Sequence, residues 1–234
     1  MNKKYLLVMI MIGIGAMLLA SGPACAQEAQ GTQETEEKKM IMLPQPKTEG
    51  QMSLEAAIQK RRSIRSFTDE KVGLEAISQL VWAAQGITDQ ENSLRAAPSA
   101  GALYPLETYV ITEEGFYHYD VLEHALELIK EGDLRQELAD AGWNQPMIAQ
   151  APLNILICAV FKRITSRYGD RGVGYVYEEV GHAAQNIHLQ AVSLGLGSVP
   201  VGAFDDKKVK SSLSLGAEVE PLYIIPVGTP AEER

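Results

Sequence analysis

A nearly unbroken apolar run, Leu153-Asn-Ile-Leu-Ile-Cys-Ala-Val160, constrains this chain most. It is too short to span a membrane. Its residues are apolar at both parities of a two-residue repeat, so a strand formed here must be covered on both faces. That demands a layered fold with helices on either side of a sheet. The flanking sequence supplies them. Ser53 can cap a helix through about Lys60, with Leu54, Ala57 and Ile58 on one face. Leu74, Ile77, Leu80, Val81 and Ala84 mark a second helix, stopped by Gly86. Glu107–Thr112 and Phe116–Tyr119 alternate around Glu114-Gly115 as a hairpin. Asp133 caps a helix to about Ala141, and Val173–Leu194, rich in Ala and Gly, is the longest helix. A short helix at Asp205–Ser212 and a last strand at Leu222–Val227 follow. The expected class is α+β around a central sheet, one domain in 234 residues.

The amino terminus reads differently. Lys3 and Lys4 precede an apolar stretch, Leu6–Ala20, and Ala24-Cys-Ala26 has the small-x-small pattern of a cleavage site. Residues 1–26 are therefore expected to be a signal peptide and the protein to be exported, touching a membrane only through that signal. Residues 27–50 are polar and read as a linker, which places the folded domain at 51–234. Cys25 belongs to the signal, leaving Cys158 as a lone core thiol without a disulfide partner in the mature chain. The formal net charge of −9 repels a polyphosphate backbone, so no nucleic-acid partner is expected. A phosphate held by this chain needs a local basic pocket.

One such pocket is offered by Lys60-Arg-Arg-Ser-Ile-Arg-Ser-Phe67. Arg61 and Arg65 lie four apart with Ser63 between them, at the point where a helix gives way to extended chain. Two guanidinium groups and a hydroxyl can converge there on one phosphate. The same residues also suit a solvated basic helix end. Arg95-Ala-Ala-Pro-Ser-Ala-Gly-Ala-Leu-Tyr-Pro105 is a loop of small residues that lets a flat ligand approach the backbone, or a plain connector. Gly195-Leu-Gly-Ser-Val-Pro-Val-Gly-Ala-Phe204 runs from helix to strand, the reverse of a dinucleotide-binding glycine loop. His118, His124, His182 and His188 lack zinc spacing, so no metal site is expected. Glu178-Glu179 reads as a surface pair on the long helix.

In order and spacing, these segments resemble the nitroreductase family, closest to its branch with thiazole- and oxazole-forming peptide dehydrogenases. The likeness runs from about Ser53 to Thr229 and includes Pro98-Ser-Ala-Gly-Ala-Leu-Tyr-Pro-Leu-Glu107, Glu179-Val-Gly-His-Ala-Ala-Gln-Asn-Ile187 and Pro226-Val-Gly228. The resemblance implies a mixed central sheet flanked by helices, an obligate-type homodimer and non-covalent FMN at the dimer interface. It implies that Arg61, Ser63 and Arg65 hold the FMN phosphate with Arg62 alongside, and that Ser99 lines the flavin. Pro200, Val201, Gly202 and Ala203 would pass the ring edge and present a backbone N–H near N5. Where relatives often carry a glutamate–glycine pair, this chain has Gly202-Ala203, which excludes a side-chain role there. No protein side chain is expected to be catalytic, since flavin N5 carries the chemistry. A cation near the N1/O2 edge, Arg95 or Arg65, stays unassigned. The implied activity is ping-pong transfer from a donor such as NAD(P)H to a nitro, quinone or similar small-molecule acceptor. Alternatives are a flavin dehydrogenase of a C–N or C–C bond and a non-catalytic flavin-binding protein.

Overall fold

The computed structural model describes residues 39–231. The expected signal peptide and the first half of the expected linker, 27–38, lie outside these residues. In chain order the elements are β1 (Met40–Met42), α1 (Leu54–Lys60), α2 (Leu74–Gln85), β2 (Ile87–Asp89), β3 (Leu94–Arg95), β4 (Leu106–Ile111), β5 (Gly115–Asp120), β6 (Ala125–Glu131), α3 (Arg135–Ala141), α4 (Pro146–Gln150), β7 (Leu153–Ala159), α5 (Lys162–Tyr168), α6 (Arg171–Ser193), β8 (Gly197–Ser198), α7 (Asp206–Ser212) and β9 (Glu220–Gly228). A seven-stranded sheet runs β1-β6-β5-β4-β7-β9-β8, and β2 and β3 form a separate hairpin.

The apolar run is β7, and every residue of it is buried. Its side chains alternate between two cores. Leu153, Ile155 and Ile157 pack with Leu80 and Val81 of α2 and with Val176, Ala183 and Ile187 of α6. Leu156 and Cys158 face the opposite way, into Leu138, Ile148, Val209 and Leu213 from α3, α4 and α7. Fully burying side chains of this size stabilises by about 1.5–3 kcal/mol each, so this strand fixes both layers at once. Cys158 is completely buried and its thiol is pushed well above the ordinary range by loss of solvation, which makes it a core residue. All pairings within the large sheet are antiparallel. The parallel component is a bridge between Ser63 and Ser198.

Several expected boundaries hold. Ser53 Oγ accepts from the Ala56 N–H at 3.2 Å. Asp205 caps α7 through the N–H groups of Lys207 and Lys208. Asp133 accepts from the Arg135 N–H at 3.1 Å, one residue ahead of the cap position at Leu134.

The domain boundary at Gln51 needs correction. β1 pairs with β6, Leu43 is buried, and Ser78 Oγ donates to the Pro44 carbonyl. Gln79 grips Lys47 at both its N–H and its C=O, 2.8 and 3.0 Å away. The signal was the short apolar run Met40-Ile-Met-Leu43, which the polar sequence around it outweighed.

Candidate functional site

The last turn of α1 leads directly into the predicted phosphate segment. Arg61 is the C-cap residue, and its N–H donates to the Ala57 carbonyl. The chain then runs extended beside β8, where Ile64 N–H donates to the Ser198 carbonyl at 3.0 Å. Gly197 allows this approach. A Cβ there would lie 2.7 Å from Ile64 Cβ, closer than packed carbons come. Behind the bridge, Ser198 Oγ bonds His188 Nδ1 of α6 at 2.6 Å. The helix, β8 and the arginine segment are thus one rigid unit.

Arg61 is half-buried, while Ser63 and Arg65 are exposed. Among the described residues neither Arg61 nor Arg65 has an acidic partner within 4 Å. Arg62 does not join them. Its Nη1 folds back onto the Gln59 and Arg61 carbonyls, at 3.1 and 2.7 Å, and closes its own helix end. The order β8, Pro200, Val201, Gly202, Ala203 places the third predicted segment beside the first. Pro200, Gly202 and Ala203 are exposed, but Val201 is buried. The Val201 N–H donates to the Ile224 carbonyl at 2.8 Å, so it is unavailable to a ligand. Any backbone donor on this edge comes from Gly202 or Ala203.

Ser99 lies apart from the clamp. It opens the small-residue loop, where Gly101 takes φ +63° and packs under the Tyr168 hydroxyl and the Arg167 guanidinium of α5. Ser99 Oγ accepts the Tyr104 N–H at 2.9 Å. Its neighbour on α6 is Glu179, nine residues before His188 and therefore about 13 Å along the helix at 1.5 Å per residue. The two ends of the candidate site are held by one helix.

Glu179 corrects the surface-pair expectation. Glu178 is exposed, but Glu179 is only 2% exposed. It sits three residues after Val176 and four before Ala183, on the face that packs against the sheet, and this spacing was the available signal. Neither carboxylate oxygen is hydrogen-bonded. Burial pushes the carboxyl up to about 7, against weaker opposing effects from Ser99, Arg95 and Gln85. Arg95 reaches this cluster through Gln85, whose Oε1 accepts from Arg95 Nη1 at 3.0 Å, and its guanidinium stacks 4.4 Å above the Tyr104 ring. His188 has the converse environment. Burial, then the Arg61 charge, lower it to about 4. No group of three or more His, Cys, Asp or Glu able to hold a metal ion occurs among the described residues.

These two groups make opposite contributions to stability. The raised Glu179 contributes stability that is complete below its ordinary value of 4.5 and lost as pH rises through about 7. The depressed His188 contributes stability that is complete above its ordinary 6.5 and lost as pH falls through about 4. Between about 4.5 and 6.5 the slopes oppose each other. We predict that Glu179→Gln makes the urea midpoint fall on acidification through this window. His188→Gln should make it fall on alkalinisation instead, each change amounting to roughly 1–3 kcal/mol. Parallel pH profiles for the wild type and both variants would contradict the burial of these charges.

Comparison with known proteins agrees with this geometry. A family model described as "Nitroreductase family" matches residues 58–229. The nitroreductase-named protein MJ1384 of Methanocaldococcus jannaschii is 43% identical over 188 residues, covering 78% of this chain and 93% of that protein. The FMN reductase [NAD(P)H] of Bacillus subtilis is 29% identical, covering 73% of this chain and 63% of that protein. The microcin B17-processing protein McbC of Escherichia coli is 26% identical, covering 68% and 63% respectively. A crystal structure titled as a nitroreductase of Ralstonia eutropha JMP134 superposes with a TM-score of 0.76 at 30% identity, covering 83% of this chain and 90% of the other. Fold, motif order and sequence agree, and the chain belongs to the nitroreductase family.

Proposed function

We propose that this protein is an exported, FMN-dependent oxidoreductase that works as a homodimer. The carrying observation is the pair of arginines, Arg61 and Arg65, on the segment bridged to β8, neither with an acidic partner within 4 Å among the described residues. With Ser63 they form a donor set suited to a phosphate monoester. The similarity to an FMN reductase supports flavin as the ligand carrying that phosphate. When bound, the flavin supplies the hydride chemistry, with NAD(P)H as one candidate donor. The protein's share is binding and orientation. Arg61, Ser63 and Arg65 hold the anionic end, the 200–203 edge offers exposed backbone, and Ser99 faces the ring from its loop. A second reading is supported by the similarity to McbC, a protein named for microcin B17 processing. It keeps the same cofactor site and makes a substrate C–N or C–C bond the electron donor. Anaerobic reduction of the bound flavin by NADH or by an azoline-containing peptide separates the two.

Changing Arg61 and Arg65 to Ala together should remove two charge-assisted interactions of about 1.5–3 kcal/mol each, or roughly two to four decades of FMN affinity. Riboflavin lacks the phosphate, and its weaker binding should be unchanged. A double variant that binds FMN as tightly as the wild type would sink the proposal.

Dimerisation is supported by an open groove of about 800 Å³ between α1, α2 and α6, lined by Leu54, Trp82 and Leu189. Around it Leu54, Ile58 and Leu194 are 61%, 56% and 40% exposed. Covering such side chains in a second copy removes apolar surface from water. Sedimentation should give twice the chain mass, and a monomer that retains FMN at micromolar concentration would refute this.

Export rests on the Met1–Ala26 pattern. Mass spectrometry of the protein from its native host should find Gln27 at the amino terminus, and an intact Met1 in the cytosol would end the idea.

A further inference from the structure

Trp143 stands 62% exposed to solvent in a backbone conformation that its side chain disfavours, with φ +55°. In the left-handed region Cβ crowds the following carbonyl, so helix ends usually place Gly or Asn there. A glycine is present at the end of α3, but one residue early. Packing fixes it at 142, where a Cβ would lie 2.5 Å from Ile148 Cδ1. Two left-handed residues follow, Trp143 and then Asn144 at φ +56°. The Asn144 N–H closes the helix end on the Ala139 carbonyl at 2.8 Å. Asparagine tolerates this region; a bulky indole is an outlier in it.

The loop is tied on both sides of the indole to the segment that continues the 200–203 edge. The Ala141 carbonyl accepts the Asp205 N–H at 2.9 Å. Gln145 Nε2 donates to the Ala203 carbonyl at 2.8 Å and to the Gly142 carbonyl at 2.9 Å. Beneath, Met147 and Ile148 are buried, and Asn154 Nδ2 holds the Ile148 carbonyl at 2.9 Å. A residue flanked by two such ties lies beside residues 203–205 and is not free to relax its strain by loop motion. Trp143 is also separate from the groove assigned above to a second copy, which is lined from α1, α2 and α6.

We propose that Trp143 is a specificity-determining residue whose indole is the stacking platform for a flat, electron-poor aromatic acceptor at the flavin edge. This rests on the reading that the 200–203 segment borders a flavin. The indole face is electron-rich, and the ring of a quinone or nitroaromatic is electron-poor, so the two faces attract. Stacking also removes apolar surface of both from water. Backbone strain at an exposed residue persists where a function maintains it. The indole itself gives neither electron nor proton. A quinone takes a hydride from the anionic reduced flavin and a proton from water, which leaves hydroquinone and oxidised flavin.

Menadione, a flat quinone, is a suitable probe. Trp82 and Trp143 are the two tryptophans of the chain, so Trp82→Phe leaves Trp143 as the one that emits. In the full-length oxidised holoprotein, menadione should lower this emission to a plateau while the lifetime of the remaining emission stays constant. Mere collision would shorten the lifetime in proportion to menadione, with no plateau. Trp143→Gly removes the indole and its left-handed penalty together, and should melt no lower than the wild type. When photoreduced flavin is reoxidised in this variant, its preference for menadione over ferricyanide, which cannot stack, should fall about two- to tenfold. The loss should appear as a higher half-saturating menadione concentration, and Trp143→Phe should recover part of it. Collisional quenching alone, or an unchanged preference in Trp143→Gly, would overturn the platform and leave the flavin site standing. An emission that neither menadione nor acrylamide quenches would place the indole in an interface between chains and overturn the platform as well. Failure of the wild type and all variants to bind FMN would overturn the flavin reading and the platform with it.

Discussion

Burial of β7 on both faces is the constraint from which the rest of the molecule follows. A strand with Leu, Ile and Cys at consecutive positions leaves neither side to solvent, so helices must lie on each. One side takes α2 and α6, the other α3, α4 and α7. The hairpin β4–β5 and the strand β9 then align against β7 and its neighbour, with β4 and β9 covering its two edges. Because α6 must lie along the sheet for 23 residues, it is also the element that can reach both the small-residue loop and the arginine segment. The architecture of the site is a consequence of how that helix is packed.

The same helix carries the polar residues that its position makes costly. Glu179 and His188 share the buried face with Val176, Ala183, Ala184 and Ile187. A carboxylate or an imidazolium there loses solvation, and both groups respond by favouring the neutral form. His188 recovers a hydrogen bond to Ser198 and so anchors β8. Glu179 recovers no hydrogen bond within the chain. A purely structural helix gains nothing from such a residue, since an apolar side chain of similar size would pack there without the desolvation penalty.

How much of this was legible follows from what periodicity reports. β7, α2, α6 and the β4–β5 hairpin were readable because each buries a regular stripe. β6 escaped because Ile129, Lys130 and Glu131 are exposed, so half of it presents no apolar pattern. α5 escaped because Ile164 is the one buried residue in its seven. β1 is apolar, Met40-Ile-Met42, but only three residues long inside a polar stretch, too short to show a period. At the candidate site, residue type and order singled out the 61–65, 99 and 200–203 segments as candidates. What they could not locate was commitment. Arg62 spends its donors on carbonyls of its own helix end, and Val201 spends its N–H on Ile224. Those are properties of geometry, invisible in a string of residues.

The electrostatic case for the clamp rests on where its two arginines sit. Among the described residues some cations have a carboxylate partner and others, Lys47, Lys207 and Lys208 among them, have none within 4 Å. Lys71 sits between Glu113 and Glu114, Arg135 on Asp133, Arg163 on Glu107 and Lys210 on Glu220. An exposed pair such as that of Lys71 is screened by solvent and stabilises little, while Arg135, Glu107 and Lys210 are partly buried in theirs, so pairing alone singles out no cation. Among the described residues Arg61 and Arg65 have no acidic partner within 4 Å, and with Ser63 they lie on a segment fixed by Gly197, Ser198 and His188. A fixed backbone limits how far these side chains can travel to find a carboxylate, and it sets the distance between them. Positive charge that is rigidly placed and left unneutralised has its full attraction available to an anion from outside the chain. That is the arrangement a protein of net charge −9 needs if it is to hold a phosphate against its own field.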